Sequence, residues 1–273
     1  WNNVSPGSRI NLLSSCFINE NTGYVSGDWT VKKTTNGGIN WVEKWDSAGN
    51  CVNLLSFIDA NTGWGAQPGS IGAFIRIYKT TNGSDNWSQI GTIESSPAPS
   101  VQWTYLLSIS FINSNTGWAC GSYDWWIPHL GSGSAGIICQ TTNGGLNWVS
   151  FGFPSTRAYD IKFFDINTGW AVGANKLIQK TTNGGLNWMT QTCPDSLTNK
   201  KIAIINQDVV FILSIKKNLQ DIYLVKTTNG GTNWVAIPVS NKIGITGISF
   251  INENVGWLSG EKGHILVTTD GGY

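Results

Sequence analysis

The octet TTNGGLNW fills residues 181–188 and recurs unchanged at residues 141–148. Looser copies read TTNGGINW at 34–41, TTNGSDNW at 80–87 and TTNGGTNW at 227–234, and TTDGGY at 268–273 begins a sixth. An Asn or Asp side chain can hydrogen-bond turn backbone two residues on, and glycine takes positive φ without a Cβ penalty. A polar, glycine-rich octet ending in Trp therefore describes a tight turn followed by a large apolar anchor. Written six times, it describes six equivalent turns.

A second phrase precedes each copy: FINENTGYVSG, FIDANTGWGAQ, FINSNTGWACG, FFDINTGWAVG, IINQDVVFILS and FINENVGWLSG, with an aromatic residue at 24, 64, 118, 170, 211 and 257. The octet tryptophans at 41, 87, 148, 188 and 234 are 46, 61, 40 and 46 residues apart. The fourth repeat reads as four short strands: AYDIKFF, WAVG, LIQKTT and WMTQT, joined by the turns DINTG, ANK and NGGLN. Four antiparallel strands in about 40 residues is the size of a propeller blade, and radial repetition protects the sheet edges. No segment carries a helical apolar period. Asn19 lies 18 residues after Trp1, as Asn252 lies 18 after Trp234. Trp1 therefore occupies an octet-tryptophan position, and WNNVS is expected to be the outermost strand of the last blade. The expected fold is an all-β, six-bladed propeller of four-stranded antiparallel blades, forming a single domain over 1–273. Its ring is closed by the N-terminal strand. The blades are expected at about 6–45, 51–91, 101–153, 157–193, 200–238, and 243–273 with 1–5.

The octet pattern T-x-N-x-G-x-x-W resembles the Asp-box, or bacterial neuraminidase repeat, with Asn mostly in the acidic position and Ser84 replacing the second glycine. The resemblance covers all six repeats. It implies that the boxes are folding devices on the hairpin between third and fourth strands. Asn36, Trp41, Asn82, Trp87, Asn143, Trp148, Asn183, Trp188, Asn229, Trp234 and Asp270 are then structural. The combined phrase NTGWAVG…LIQKTTNGGLNW looks closest to photosystem II stability and assembly-factor-like propellers, whose relatives are also secreted by non-photosynthetic bacteria. That resemblance implies a non-catalytic scaffold binding another macromolecule.

Charge is nearly balanced, with 17 Lys and Arg against 16 Asp and Glu, so no basic footprint for nucleic acid exists. No run of about 18 apolar residues could span a membrane. The chain begins at Trp1, which is expected to follow either a cleaved signal peptide or simple trimming. The expected setting is extracellular, cell-surface or periplasmic. Five cysteines (16, 51, 120, 139 and 193) show no metal spacing and are expected mainly as small buried strand residues. His129 and His264 lie in different repeats and form no ligand pair, so neither metal nor cofactor is expected.

Of the 15 tryptophans, five are surplus to the repeat: Trp29, Trp45, Trp103, Trp125 and Trp126. Trp29, Trp125 and Trp126 fall between second and third strands, and Trp45 and Trp103 at or near blade-to-blade connections, over blades 1 to 3; both kinds of connection open on the face opposite the boxes. The longest insertions, SSPAPSVQWTY and SYDWWIPHLGSGSAG, lie there too, and long loops on a rigid scaffold are where binding concentrates. Trp29, Trp103, Tyr123, Trp125 and Trp126, with Arg9 and Arg157, are the candidate binding residues. The bland alternative is that these aromatics fill their own loops. A neuraminidase site needs an arginine triad, and the three arginines here (9, 76 and 157) do not supply one, because Arg76 lies on a third strand close to a box. The family's F/Y-R-I-P motif is absent. Asp124 and Asp160 could form a glycosidase pair. The reading favours a non-catalytic module binding a protein or polysaccharide. Its alternatives are a propeller-type glycoside hydrolase or lyase, and a self-assembling structural subunit.

Overall fold

The computed structural model describes residues 1–5, 11–28, 30–44, 52–67, 74–94, 101–127, 129, 131–152, 157–192, 197–216, 221–239 and 244–273, with backbone alone at 94, 101–104, 125–127 and 152. Six four-stranded antiparallel sheets, each running in order from first to fourth strand, form the six blades. The last blade draws its fourth strand, Asn2–Asn3, from the other end of the chain. Asn2 pairs with Val267 and Asn3 with Leu266, the closure expected from the interval after Trp1. Trp1 packs edge-on to Phe250 at 6.3 Å, filling the octet-tryptophan place of that blade.

The second phrase assembles the ring. Each second-strand aromatic stacks on the first-strand Phe of the next blade: Tyr24 on Phe57, Trp64 on Phe111, Trp118 on Phe163, Phe211 on Phe250, and Trp257 on Phe17. Centroids are 3.6–4.0 Å apart, and the blade's own box tryptophan meets the same Phe edge-on in the first four blades with a Phe. Blade 5 has no Phe there, and Trp170 packs in a cluster with Ile204 instead. Indole N–H groups add a latch. Trp64, Trp118 and Trp257 donate to the carbonyls of Gly144, Gly184 and Gly37 in the next blade's box. The lysine that precedes four of the octets also has a use, since Lys33, Lys79, Lys180 and Lys226 lie 4.7–5.3 Å over the second-strand rings of Tyr24, Trp64, Trp170 and Phe211.

Within each box the threonine hydroxyl and the Asn side chain divide the turn between them. In the fourth, Thr181 Oγ1 accepts from the N–H of Gly185 and Asn183, and Asn183 Oδ1 accepts from Thr181 Oγ1 and the N–H of Asn187. Gly184 and Gly185 have φ of 73° and 97°, the left-handed region that glycine enters freely. Ser84 breaks this rule at φ 75° and compensates: its hydroxyl accepts the Trp87 indole N–H at 3.0 Å. The first-to-second-strand turns repeat another device, in which Asn19, Asp59, Asn113, Asp165, Asn206 and Asn252 each accept two following backbone N–H groups.

First strands line the axis, tied to one another where Ser56, Ser110 and Ser249 accept the N–H of the next blade's Phe. The axial cavity holds about 20 Å³, room for one water. Lys201 crosses from blade 5 to the Leu107 carbonyl of blade 3, and Lys162 reaches the Ile109 carbonyl.

Cys16, Cys120 and Cys139 are free thiols, and Cys51 and Cys193 lie outside the described residues. Burial pushes the Cys139 thiol up to about 11 and the Cys120 thiol higher than its ordinary range. We expect neither to react with a charged thiol reagent at neutral pH until the protein is unfolded, because the thiolate is the reactive form. Peptide mapping of the labelled sites checks this, and rapid native labelling at either position would contradict the burial.

Candidate functional site

Because the boxes and the first-to-second turns close the same ends of the strands, all of them share one face. The second-to-third turns and blade connections share the other. On that opposite face blade 3 differs from its neighbours. Its first three strands, Val101–Phe111, Gly117–Ile127 and Gly131–Thr141, have 11 residues each. Second strands elsewhere have four to seven. Six residues beyond a five-residue strand, at about 3.3 Å each, carry an arm roughly 20 Å out of the ring.

This corrects the expected loops. SYDWWIPHLGSGSAG is mostly two paired strands, with Asp124 opposite Ser134, Trp125 opposite Gly133 and Trp126 opposite Ser132. Trp103, near the blade connection as expected, lies in the first strand itself, opposite Asp124. The physical reason is pairing: the glycine and serine run of residues 131–136 has low strand propensity, but its partner is rich in aromatic residues that favour strands. Trp103, Tyr123, Trp125 and Trp126 are thereby brought onto one arm. Trp29, Trp45 and Arg9 lie outside the described residues.

Tyr123 is half-buried against a core that includes Leu54, Ile75, Leu106 and Ile137 of blades 2 and 3. Asp124, on the other side of the strand, faces blade 4, where its Oδ1 lies 3.7 Å from Arg157 Nη2. That is an ion pair without a hydrogen bond, and Asp124 Oδ1, Ser122 Oγ and Ser134 Oγ are buried without hydrogen-bond partners. Beyond Arg157, Lys200 sits 4.4 Å over the Tyr159 ring. Burial, and then the charge of Arg157, pull its ammonium below the usual lysine range. Phe74 and Tyr105 add exposed rings on blades 2 and 3, at 57% and 38% accessibility. Sequence reasoning missed Phe74, Tyr105, Tyr159 and Lys200. Phe74 could have been found, because it stands one place before the alternating strand IRIYKT.

The carboxylate pair does not form a catalytic arrangement. Asp160 is buried at a β-bulge of blade 4's first strand (Ala158–Phe163), where Oδ1 accepts from Ile161 N–H and Oδ2 from Ile202 N–H of blade 5. Both oxygens hold backbone, which is a structural task. Among the described residues no group of three or more His, Cys, Asp or Glu could hold a metal ion. Among the described residues no helix is long and apolar enough to cross a membrane.

The family model described as photosynthesis system II assembly factor YCF48 matches residues 146–247. No curated protein matches the chain. Among solved structures, YCF48 bound to D1 peptide is 19% identical, with a TM-score of 0.59 over 100% of this chain and 82% of that one. YCF48 from Cyanidioschyzon merolae is 16% identical, with a TM-score of 0.56 over 100% and 86%. The Hadza microbial sialidase Hz136 is 11% identical, with a TM-score of 0.71 over 98% and 68%. At these identities the likeness is one of fold, and the boxes do not make the chain a sialidase. The chain is a six-bladed propeller similar to the photosystem II assembly-factor propellers, in sequence over residues 146–247 and in fold throughout.

Proposed function

We propose that the protein is a non-catalytic binding module that takes a protein partner on the face opposite the boxes, with the blade 3 arm as its principal contact. The observation that carries this reading is the arm itself, a paired three-stranded projection from an otherwise even ring. Trp and Tyr give large contact area at low entropic cost and are enriched at interface hot spots. Trp103, Tyr123, Trp125 and Trp126 concentrate them on the arm, with Arg157 at its base; Arg9 and Trp29, outside the described residues, join the proposal from the sequence alone. The YCF48 propeller with a D1 peptide supports a protein ligand for this architecture. An extracellular, cell-surface or periplasmic setting is part of the proposal.

Replacing residues 124–134 with an Asn-Gly turn should remove the arm's outer half and leave the pairing from Gly117 to Tyr123 in place. We expect the melting temperature to stay within a few degrees of the parent and partner capture to be lost. Crosslinking and mass spectrometry, with parent and shortened protein compared in the same extract, read the difference. A glycan array runs beside it. Partner capture unchanged by the deletion, or glycan binding in place of protein binding, would overturn the reading.

A further inference from the structure

The box face carries a second surface of different chemistry. The residue after each first-strand Phe, or after Ile204 in blade 5, is apolar in every blade: Ile18, Ile58, Ile112, Phe164, Ile205 and Ile251. None of the six is fully buried, and Phe164 is 44% exposed. At larger radius, Ile39, Leu146, Leu186 and Tyr273 stand exposed at the tips of four boxes. Exposed apolar groups arranged over one face of a soluble domain mark an interaction surface.

Two shallow grooves cross this face. One, of about 570 Å³, runs from Phe164 past Val209 to Glu253 and is edged by Asp208. The other, of about 540 Å³, lies between Ile251 and Ile18 and is edged by Glu20. Carboxylates edge both grooves, Asp208 and Glu253 on the first and Glu20 on the second; elsewhere on the face stand Asp59 and Asp165 in the same class of turn, Asp270 in a box, and Asp85, which pairs with Lys44. Hydrogen bonds from the Asn61 and Thr62 N–H groups hold the Asp59 carboxyl below its usual range, and the Thr268 hydroxyl does the same for Asp270, so both stay ionised. The lysines on this side are already engaged over aromatic rings, and Lys226 also pairs with Glu253 at 3.6 Å.

We propose that these grooves dock a basic amphipathic segment of a partner protein, its apolar side chains on Phe164, Val209, Ile251 and Ile18 and its Lys or Arg side chains against Glu20, Asp208 and Glu253. Charge complementarity selects this occupant. An acidic segment or an anionic lipid surface meets like charge, and apolar side chains alone leave Glu20 and Asp208 without a cation, while Glu253 shares Lys226. The surface is separate from the arm and independent of it.

The probe is a capped nonapeptide alternating leucine and lysine around a central glycine, with a glutamate-for-lysine version as control, followed by fluorescence anisotropy on the folded 273-residue chain. The basic peptide should bind and the acidic one should not. The combined variant Glu20→Gln, Asp208→Asn, Glu253→Gln should weaken binding about tenfold at unchanged melting temperature, with added salt reducing binding to the parent. The arm-shortened protein should bind as the parent does, which separates this surface from the one proposed above. Equal binding by the combined variant, or equal binding of the acidic peptide, would overturn the proposal. So would flotation of the parent with phosphatidylcholine vesicles, which would assign the apolar rings to lipid.

Discussion

Trp118→Ala is expected to destabilise the propeller by about 3–5 kcal/mol, the range for truncating a buried large aromatic. For a domain of this size that is a fall of roughly 10 °C in melting temperature. Three losses coincide at this residue. Trp118 is fully buried, and its ring stacks on Phe163 of the next blade with centroids 3.6 Å apart. Its N–H donates to the Gly184 carbonyl in that blade's box at 3.1 Å. The cavity left behind would lie between two rigid sheets that collapse poorly. Trp118→Phe separates the contributions, because it keeps a ring on Phe163 and loses the latch. Its cost should be nearer 1–2 kcal/mol, combining lost volume with one hydrogen bond. A Trp118→Ala protein melting within a degree or two of the parent would mean that blade stacking does not hold the ring together.

That packing was legible in the sequence because a repeat protein states its solution several times. The aromatic position of NTGW and the Phe of FIN recur at fixed intervals, so one blade predicts the rest. Closure was legible because Trp1 and Trp234 stand at equal intervals from equivalent turns. The lysines of KTTNGG were visible but not interpreted, since their role over Tyr24, Trp64, Trp170 and Phe211 depends on an adjacent strand rather than on local spacing. Ser84 read as a departure, and its compensating bond to Trp87 needed the turn geometry. The arm was located correctly but misread as loops, because residues 131–136 contain only Gly, Ser and Ala and their strand character comes from the partner strand. The box face escaped notice for a related reason. Each turn contributes one ordinary apolar residue, and every turn but that of blade 3 one ordinary acid, and only the ring symmetry collects them into a surface.

Thr181→Val carries the second large effect, at about 2–4 kcal/mol, although it changes neither shape nor burial. Thr181 is fully buried at the end of the third strand of blade 4 (Ile178–Thr181). Its hydroxyl accepts the Gly185 N–H at 2.9 Å and the Asn183 N–H at 3.3 Å, and donates to Asn183 Oδ1 at 3.0 Å. Valine fills the same space and leaves those donors without an acceptor, at about 1–3 kcal/mol for a buried group. The consequence extends to the neighbouring blade. Gly184, between the two freed N–H groups, presents the carbonyl that Trp118 donates to, so loosening the turn also weakens the latch between blades 3 and 4. Thr181→Val and Trp118→Phe should therefore be less than additive in a double-mutant cycle, since each removes part of the same contact. Hydrogen exchange at the Gly185 amide should quicken in Thr181→Val while exchange in the box of blade 1 stays as it was. Strict additivity, or a Thr181→Val protein as stable as the parent, would show that the turn is held by its glycines alone and that the threonine written at the head of every box serves another purpose.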